Sequence, residues 1–260
     1  MSNKEYKSKL DLKELNKFVF EEAEHFRNLQ ILGYKIVCPY FINRPAEYFI
    51  DLMRISGIDE KTIFRFYEDY KNNKILYGWF QGKGTSIEIE NAIEHFISSN
   101  RPESPNKVTP DGIRELMSLR GIGVDCSGFV FNILRDGFKK MGCFEEFLNG
   151  LKWNDENKKN VSQANVKLFI RSSTVVRDFN IQPLDLIVME GHIAIVLKRN
   201  DGALGLYQST PWTSPNGISV SDLSVANEEV NFSFVPNMGV SWNEKYQRGE
   251  IEFRRLKIFQ

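Results

Sequence analysis

From Pro183 to the C-terminus the chain carries six short runs rich in branched and aromatic residues: PLDLIVM, HIAIVLK, ALGLYQS, GISVSDL, NFSFV and IEFRRLKIF. Gly, Asn, Asp, Ser and Pro lie between many of them, so the runs read as strands joined by turns. The earlier part has a different period. Leu12, Leu15, Val19, Phe26 and Leu29 recur at spacings of three, four and seven between charged positions, which predicts an amphipathic helix from Leu10 to Leu32. A second helix is predicted over Pro45 to Ser56, with Pro45 at its first position and Gly57 as its stop. DEKTIFRFYEDYKNN reads as a third helix, KILYGWFQGKG as a short strand entering a glycine-rich turn, and SIEIENAIEHFISS as a further helix. Helices first and strands later, without regular alternation, predict an α+β fold rather than a doubly wound parallel sheet. The Pro-rich stretch NRPESPNKVTP reads as a surface loop, so residues 1–260 are expected to form one domain.

The chain has 34 basic and 34 acidic side chains, and this zero balance carries no electrostatic footprint for nucleic acid or an anionic membrane. Its polar start, MSNKEYKSKLDLKEL, and the lack of any long apolar run predict a soluble cytoplasmic protein with no membrane partner. Cys38, Cys126 and Cys143 are far apart and in no C-x-x-C arrangement, which argues against a disulfide framework and against a structural zinc site.

One cysteine stands in a specific setting. GIGVDCSGFVFNIL places Cys126 before an apolar stripe of Phe129, Val130, Ile133, Leu134 and Phe138, so it opens a helix. Free N–H groups and the positive helix end lower a thiol's pKa there, which predicts a nucleophilic thiolate. Asp125 is the expected N-cap, turned away from the sulfur, while Ser127 and Gly128 are expected to leave the approach to it open. A cysteine nucleophile needs a base, and the chain offers three histidines. His25 and His95 fall within amphipathic helices and read as solvated. His192 follows Gly191 and opens the strand HIAIVLK, which makes it the candidate base.

A base needs a group that orients it. If Asn200-Asp201-Gly202 form a three-residue hairpin loop, Gln208 shares the face of His192 one diagonal step away; a two-residue loop would put Ser209 there instead. The three-residue loop, and hence Gln208, is the reading adopted.

DCSGFV, then PLDLIVMEGHIAIVL, then YQST resemble the successive motifs of NlpC-type cell-wall cysteine peptidases, a branch of the papain-like superfamily, over about residues 121–260. The resemblance implies helices packed on an antiparallel sheet or half-barrel, and the helical periodicity before it makes residues 1–100 a mostly helical extension expected to pack on that core. It places Cys126, His192 and Gln208 on the positions of nucleophile, base and orienting residue, and FRRLKI on the closing strand. This chain departs from the family in having Leu184 before Asp185, where glycine is usual, Ala194 where glycine is common, and Gln208 where histidine is commoner. The family's site tyrosine precedes the cysteine; here Tyr77 in LYGWFQGKG and Tyr40 in CPYFIN are the candidates, each equally readable as aromatic core. Lys83, between Gly82 and Gly84, is a candidate for a substrate carboxylate or a solvated turn residue. The implied activity is hydrolysis of an amide through a thioester, in a peptidoglycan stem peptide or another small peptide, with no metal or organic cofactor. The alternatives are a binding module of the same fold and a thioester-based acyltransferase or deamidase.

Overall fold

The structure, a computed structural model, describes residues 10–41, 54, 59–61, 63–64, 82–99, 108–157, 159–177, 179–226, 229–233 and 242–260. Helix α1 spans Leu12–Arg27, capped by Asp11, whose carboxylate accepts the Lys13 and Glu14 N–H groups, and it buries Leu15, Val19, Ala23 and Phe26. It stops before the predicted Leu32, because Leu32 and Gly33 both take positive φ and turn the chain into a tight hairpin between β1 (Leu29–Ile31) and β2 (Tyr34–Ile36). Leu29 is thus a buried strand residue and not part of the helix.

The helix predicted from Pro45 lies outside the described residues except for Arg54, and so does the strand predicted in KILYGWFQ. Of the third predicted helix, Glu60, Lys61, Ile63 and Phe64 are helical. Helix α2 (Ser86–Ser99) opens on a reciprocal cap in which Thr85 and Glu88 each accept the other's N–H. Helix α3 (Pro110–Leu119), which periodicity did not reveal, starts with Pro110 behind the capping hydroxyl of Thr109. Helix α4 is Cys126–Lys140 and places Phe129, Val130, Ile133, Leu134 and Phe138 in the core as expected. Three shorter helices follow: α5 (Phe144–Gly150), α6 (Val166–Arg171) and α7 (Trp242–Gln247).

The later strands form one curled antiparallel half-barrel, and the molecule is mixed α+β. Its order is β3 (Ser173–Val175), β9 (Glu252–Leu256), β4 (Leu186–Met189), β5 (His192–Lys198), β6 (Leu204–Thr210), β7 (Gly217–Ala226) and β8 (Glu229–Phe232). Side chains alternate across the sheet. Ile193, Ile195, Leu197 and Tyr207 join the apolar layer that includes α1 and α4, whereas Ala194, Val196 and Leu206 pack with Ile187 and Trp242 in a second layer. Both faces are covered, which is why β4 and β5 read as unbroken apolar runs.

Leu184 has φ +75 with its side chain fully buried, so apolar burial holds a backbone conformation that leucine otherwise avoids. The next residue, Asp185, is gripped by Arg255 of β9 at 2.7 and 2.8 Å. Among the described residues no helix is long and apolar enough to cross a membrane.

Candidate active site at the start of helix α4

The loop entering α4 is held on two sides by segments from the N-terminal part of the chain. Val124 bridges Tyr40 in parallel and Lys83 in antiparallel sense, its N–H donates to the Pro39 carbonyl at 3.2 Å, and the Asp125 N–H donates to the Gly82 carbonyl at 2.8 Å. The approach is too close for side chains. A Cβ on Gly128 would lie 2.3 Å from the Gly82 oxygen, and one on Gly82, which has φ +67, would lie 2.4 Å from the Phe41 oxygen. The glycine of DCSG therefore serves backbone packing rather than open access, and Ser127 is buried as well.

Asp125 caps α4 as expected, accepting the Gly128 N–H at 2.6 Å. Lys83 overturns both of its readings. Its side chain is only 3% exposed, and its ammonium lies 2.7 Å from the Asp125 carboxylate and 2.6 Å from Ser127 Oγ, so it is neither solvated nor free for a substrate. Ser127 Oγ also lies within hydrogen-bond distance of Asp125 Oδ1, at 2.9 Å, and of the Ala164 carbonyl, at 3.1 Å.

Cys126 is 6% exposed. Burial first, and the neighbouring Asp125 carboxylate second, push its thiol up to about 11; the Ile193 N–H, Lys83 and the Ser127 N–H pull in the other direction. The expected activated thiolate is thus not the resting form: desolvation outweighs the helix end.

His192 is 2% exposed, and its Nε2 lies 2.8 Å from Gln208 Oε1. Trp212 stacks on the ring at 4.8 Å with a 54° tilt, and Trp242 meets it edge-on at 6.1 Å. Burial pushes the imidazole down to about 4, against the raising effect of the Gln208 bond, with Lys245 adding a smaller lowering. The ring is neutral near pH 7.

The hairpin arithmetic holds. Ile195 faces Tyr207 and Lys198 faces Leu204, while Gly202 takes φ +88 in the loop, so Gln208 reaches His192 along the shared face. Ser209 points to the opposite face and donates to the Val124 carbonyl at 2.6 Å. The β5–β6 ladder ends at Ile195↔Tyr207; closer to the site, the Ile193 N–H serves the Cys126 sulfur and the Ser209 hydroxyl serves Val124. The loop bearing the thiol is thus tied to β5 at the residue after His192 and to β6 at the residue after Gln208.

Tyr40 lies half-buried beside this loop, its phenol pushed up by burial and then by Cys126 and Asp125. Tyr77 lies outside the described residues. His95 is exposed as expected, but His25 is not simply solvated. Its Nε2 lies 2.9 Å from Glu90 and its Nδ1 3.0 Å from Ser86 Oγ. These three side chains outline a Ser-His-Glu triad, yet Ser86 is 1% exposed and its hydroxyl donates to Glu22 at 2.6 Å, which makes the group a clasp between α1 and α2.

Trp212, Trp242 and Lys245 carry no motif in the sequence; the one signal was Trp212, two residues past YQST in a Pro- and Ser-rich turn. A cavity of about 720 Å³ opens between α6, the β4–β5 turn and residues 249–252. It is lined by Gly191, which precedes His192 in sequence, and by Asn165, which follows Ala164, and none of Cys126, His192 or Gln208 lines it. Comparison of the chain with models of known protein families, with curated proteins and with solved structures finds no match.

Proposed function

We propose that the protein is a thiol amidase or peptidase with a papain-like, NlpC-type fold, in which Cys126 is the nucleophile, His192 the base and Gln208 the orienting residue. The observation that carries this reading is the 2.8 Å contact from His192 Nε2 to Gln208 Oε1, made while the thiol accepts the N–H of the residue after His192. With Nε2 engaged, Nδ1 is the nitrogen left for the thiol.

A thiol at about 11 and an imidazole at about 4 form a neutral pair, so the proton moves as the carbonyl is attacked and not before. Cys126 Sγ bonds to the carbonyl carbon and its proton passes to His192. The C–N bond then breaks and His192 returns that proton to the departing amine. Water, deprotonated by His192, cleaves the thioester, releasing the acid and restoring the thiol. The Cys126 N–H at the helix start supplies part of the oxyanion site.

The resemblance to NlpC-type enzymes points to the bond after D-glutamate in a stem peptide, in a recycled muropeptide or another small peptide. Incubation with a γ-D-glutamyl muropeptide, read by mass spectrometry, tests the reading: cleavage by the wild type and none by Cys126→Ala supports it, and equal cleavage by both overturns it.

The buried neutral pair also suits a binding module that keeps the pocket. Binding of the muropeptide without turnover across pH 5 to 10 would favour that reading over hydrolysis. Products carrying an added amine or alcohol would favour acyl transfer.

A further inference from the structure

We infer that Lys83 is a positioning residue for the thiol: it holds the Asp125 cap on the backbone of α4 as a charge-neutral unit beside Cys126. The inference deepens the thiol reading of the site. Helix α4 needs an acceptor at its start, and Asp125 supplies one to the Gly128 N–H at 2.6 Å. That acceptor bears a negative charge one residue from the sulfur, where it opposes the thiolate. Lys83 Nζ meets both carboxylate oxygens at 2.7 Å in a setting nearly closed to water, so little solvent screens the pair. The Lys83 stem also covers the helix start, since a Cβ on Gly128 would meet Lys83 Cδ at 2.9 Å.

The placement of Lys83 does not depend on its charge. Its backbone bridges Val124, and the buried Asn132 amide of α4 donates to the carbonyls of Lys83 and Gly84 at 2.9 and 2.7 Å. A neutral side chain can therefore occupy the same place. The arrangement eases the conflict between a carboxylate cap and an adjacent nucleophile: the cap keeps its geometry while the lysine offsets part of its field.

The test is the pH profile of Cys126 alkylation by iodoacetamide, followed on the Cys126 peptide by mass spectrometry, with folding checked by near-UV circular dichroism. Lys83→Met should raise the apparent thiol pKa by about one unit or more, a roughly tenfold loss of thiolate at any pH below it. Asp125→Asn, which keeps the cap acceptor, should shift it down, and Lys83→Met with Asp125→Asn should return it close to wild type. Lys83→Arg should stay close to wild type on charge grounds. A folded Lys83→Met variant with an unshifted profile overturns the inference. Should that variant not fold, an unshifted Asp125→Asn profile overturns it equally. Alkylation needs no turnover, so these shifts in a protein that cleaves nothing would remove the hydrolase reading and keep the role of Lys83, whereas cleavage without the shifts would do the reverse.

Discussion

Replacing Gln208 with leucine removes the acceptor facing His192 Nε2 while keeping most of the side-chain volume. In the native site the ring nitrogen and the amide oxygen are 2.8 Å apart and both side chains are buried. Without the oxygen, a buried imidazole N–H has no acceptor, which costs about 1–3 kcal/mol. An opposing contribution exists: Gln208 Nε2 is itself buried with no partner among the described residues, and deleting it recovers part of that cost. The two nearly offset, so stability should fall by only about 1 kcal/mol. Turnover should not be spared. Trp212 and Trp242 still confine the ring, but nothing fixes which nitrogen carries the proton, and kcat should drop by about two orders of magnitude with little change in KM. Gln208→His should retain activity, and Gln208→Glu, which places a negative charge on Nε2, should move the imidazole up from about 4. Urea melts together with the pH dependence of kcat check both halves. A folded Gln208→Leu variant with wild-type kcat would refute the orienting role.

Further outcomes are expected. Ser209→Ala, harmless if the residue only lined a strand, should cost about 1 kcal/mol because the buried Val124 carbonyl loses its 2.6 Å donor, read as a lower urea midpoint. Gly128→Ala drives a Cβ to 2.3 Å from the Gly82 oxygen, so stability should fall by about 1–3 kcal/mol and the thiol should become more open to iodoacetamide, whereas an unchanged melt would disprove the close packing. His25 has its pKa raised to about 9, by Glu22 first and Glu90 next, against the ordinary 6.5 of an unfolded chain. Its stabilisation is therefore complete below pH 6.5 and lost as pH rises from 6.5 through 9. With 30% of the side chain exposed, solvent screening reduces the amount to about 1–2 kcal/mol, and the urea midpoint of His25→Gln should be flat over that window where the wild type declines.

What could be read from the sequence was local. The stripe after Cys126 and the aspartate before it dictate a capped helix, because both are properties of one turn and its period. The identity of Gln208 as the partner of His192 follows from a three-residue loop and strand alternation, again within one hairpin. Tertiary structure decided whatever depends on distant charge and burial. Lys83 meets Asp125 from a separate segment, and only that contact turns an apparent surface lysine into a buried counter-ion. His25 is recruited by Glu90 of another helix. The thiol of Cys126 is raised although its helix position alone would lower it, because three-dimensional packing removes water from the sulfur, and desolvation is not written in the spacing of residues.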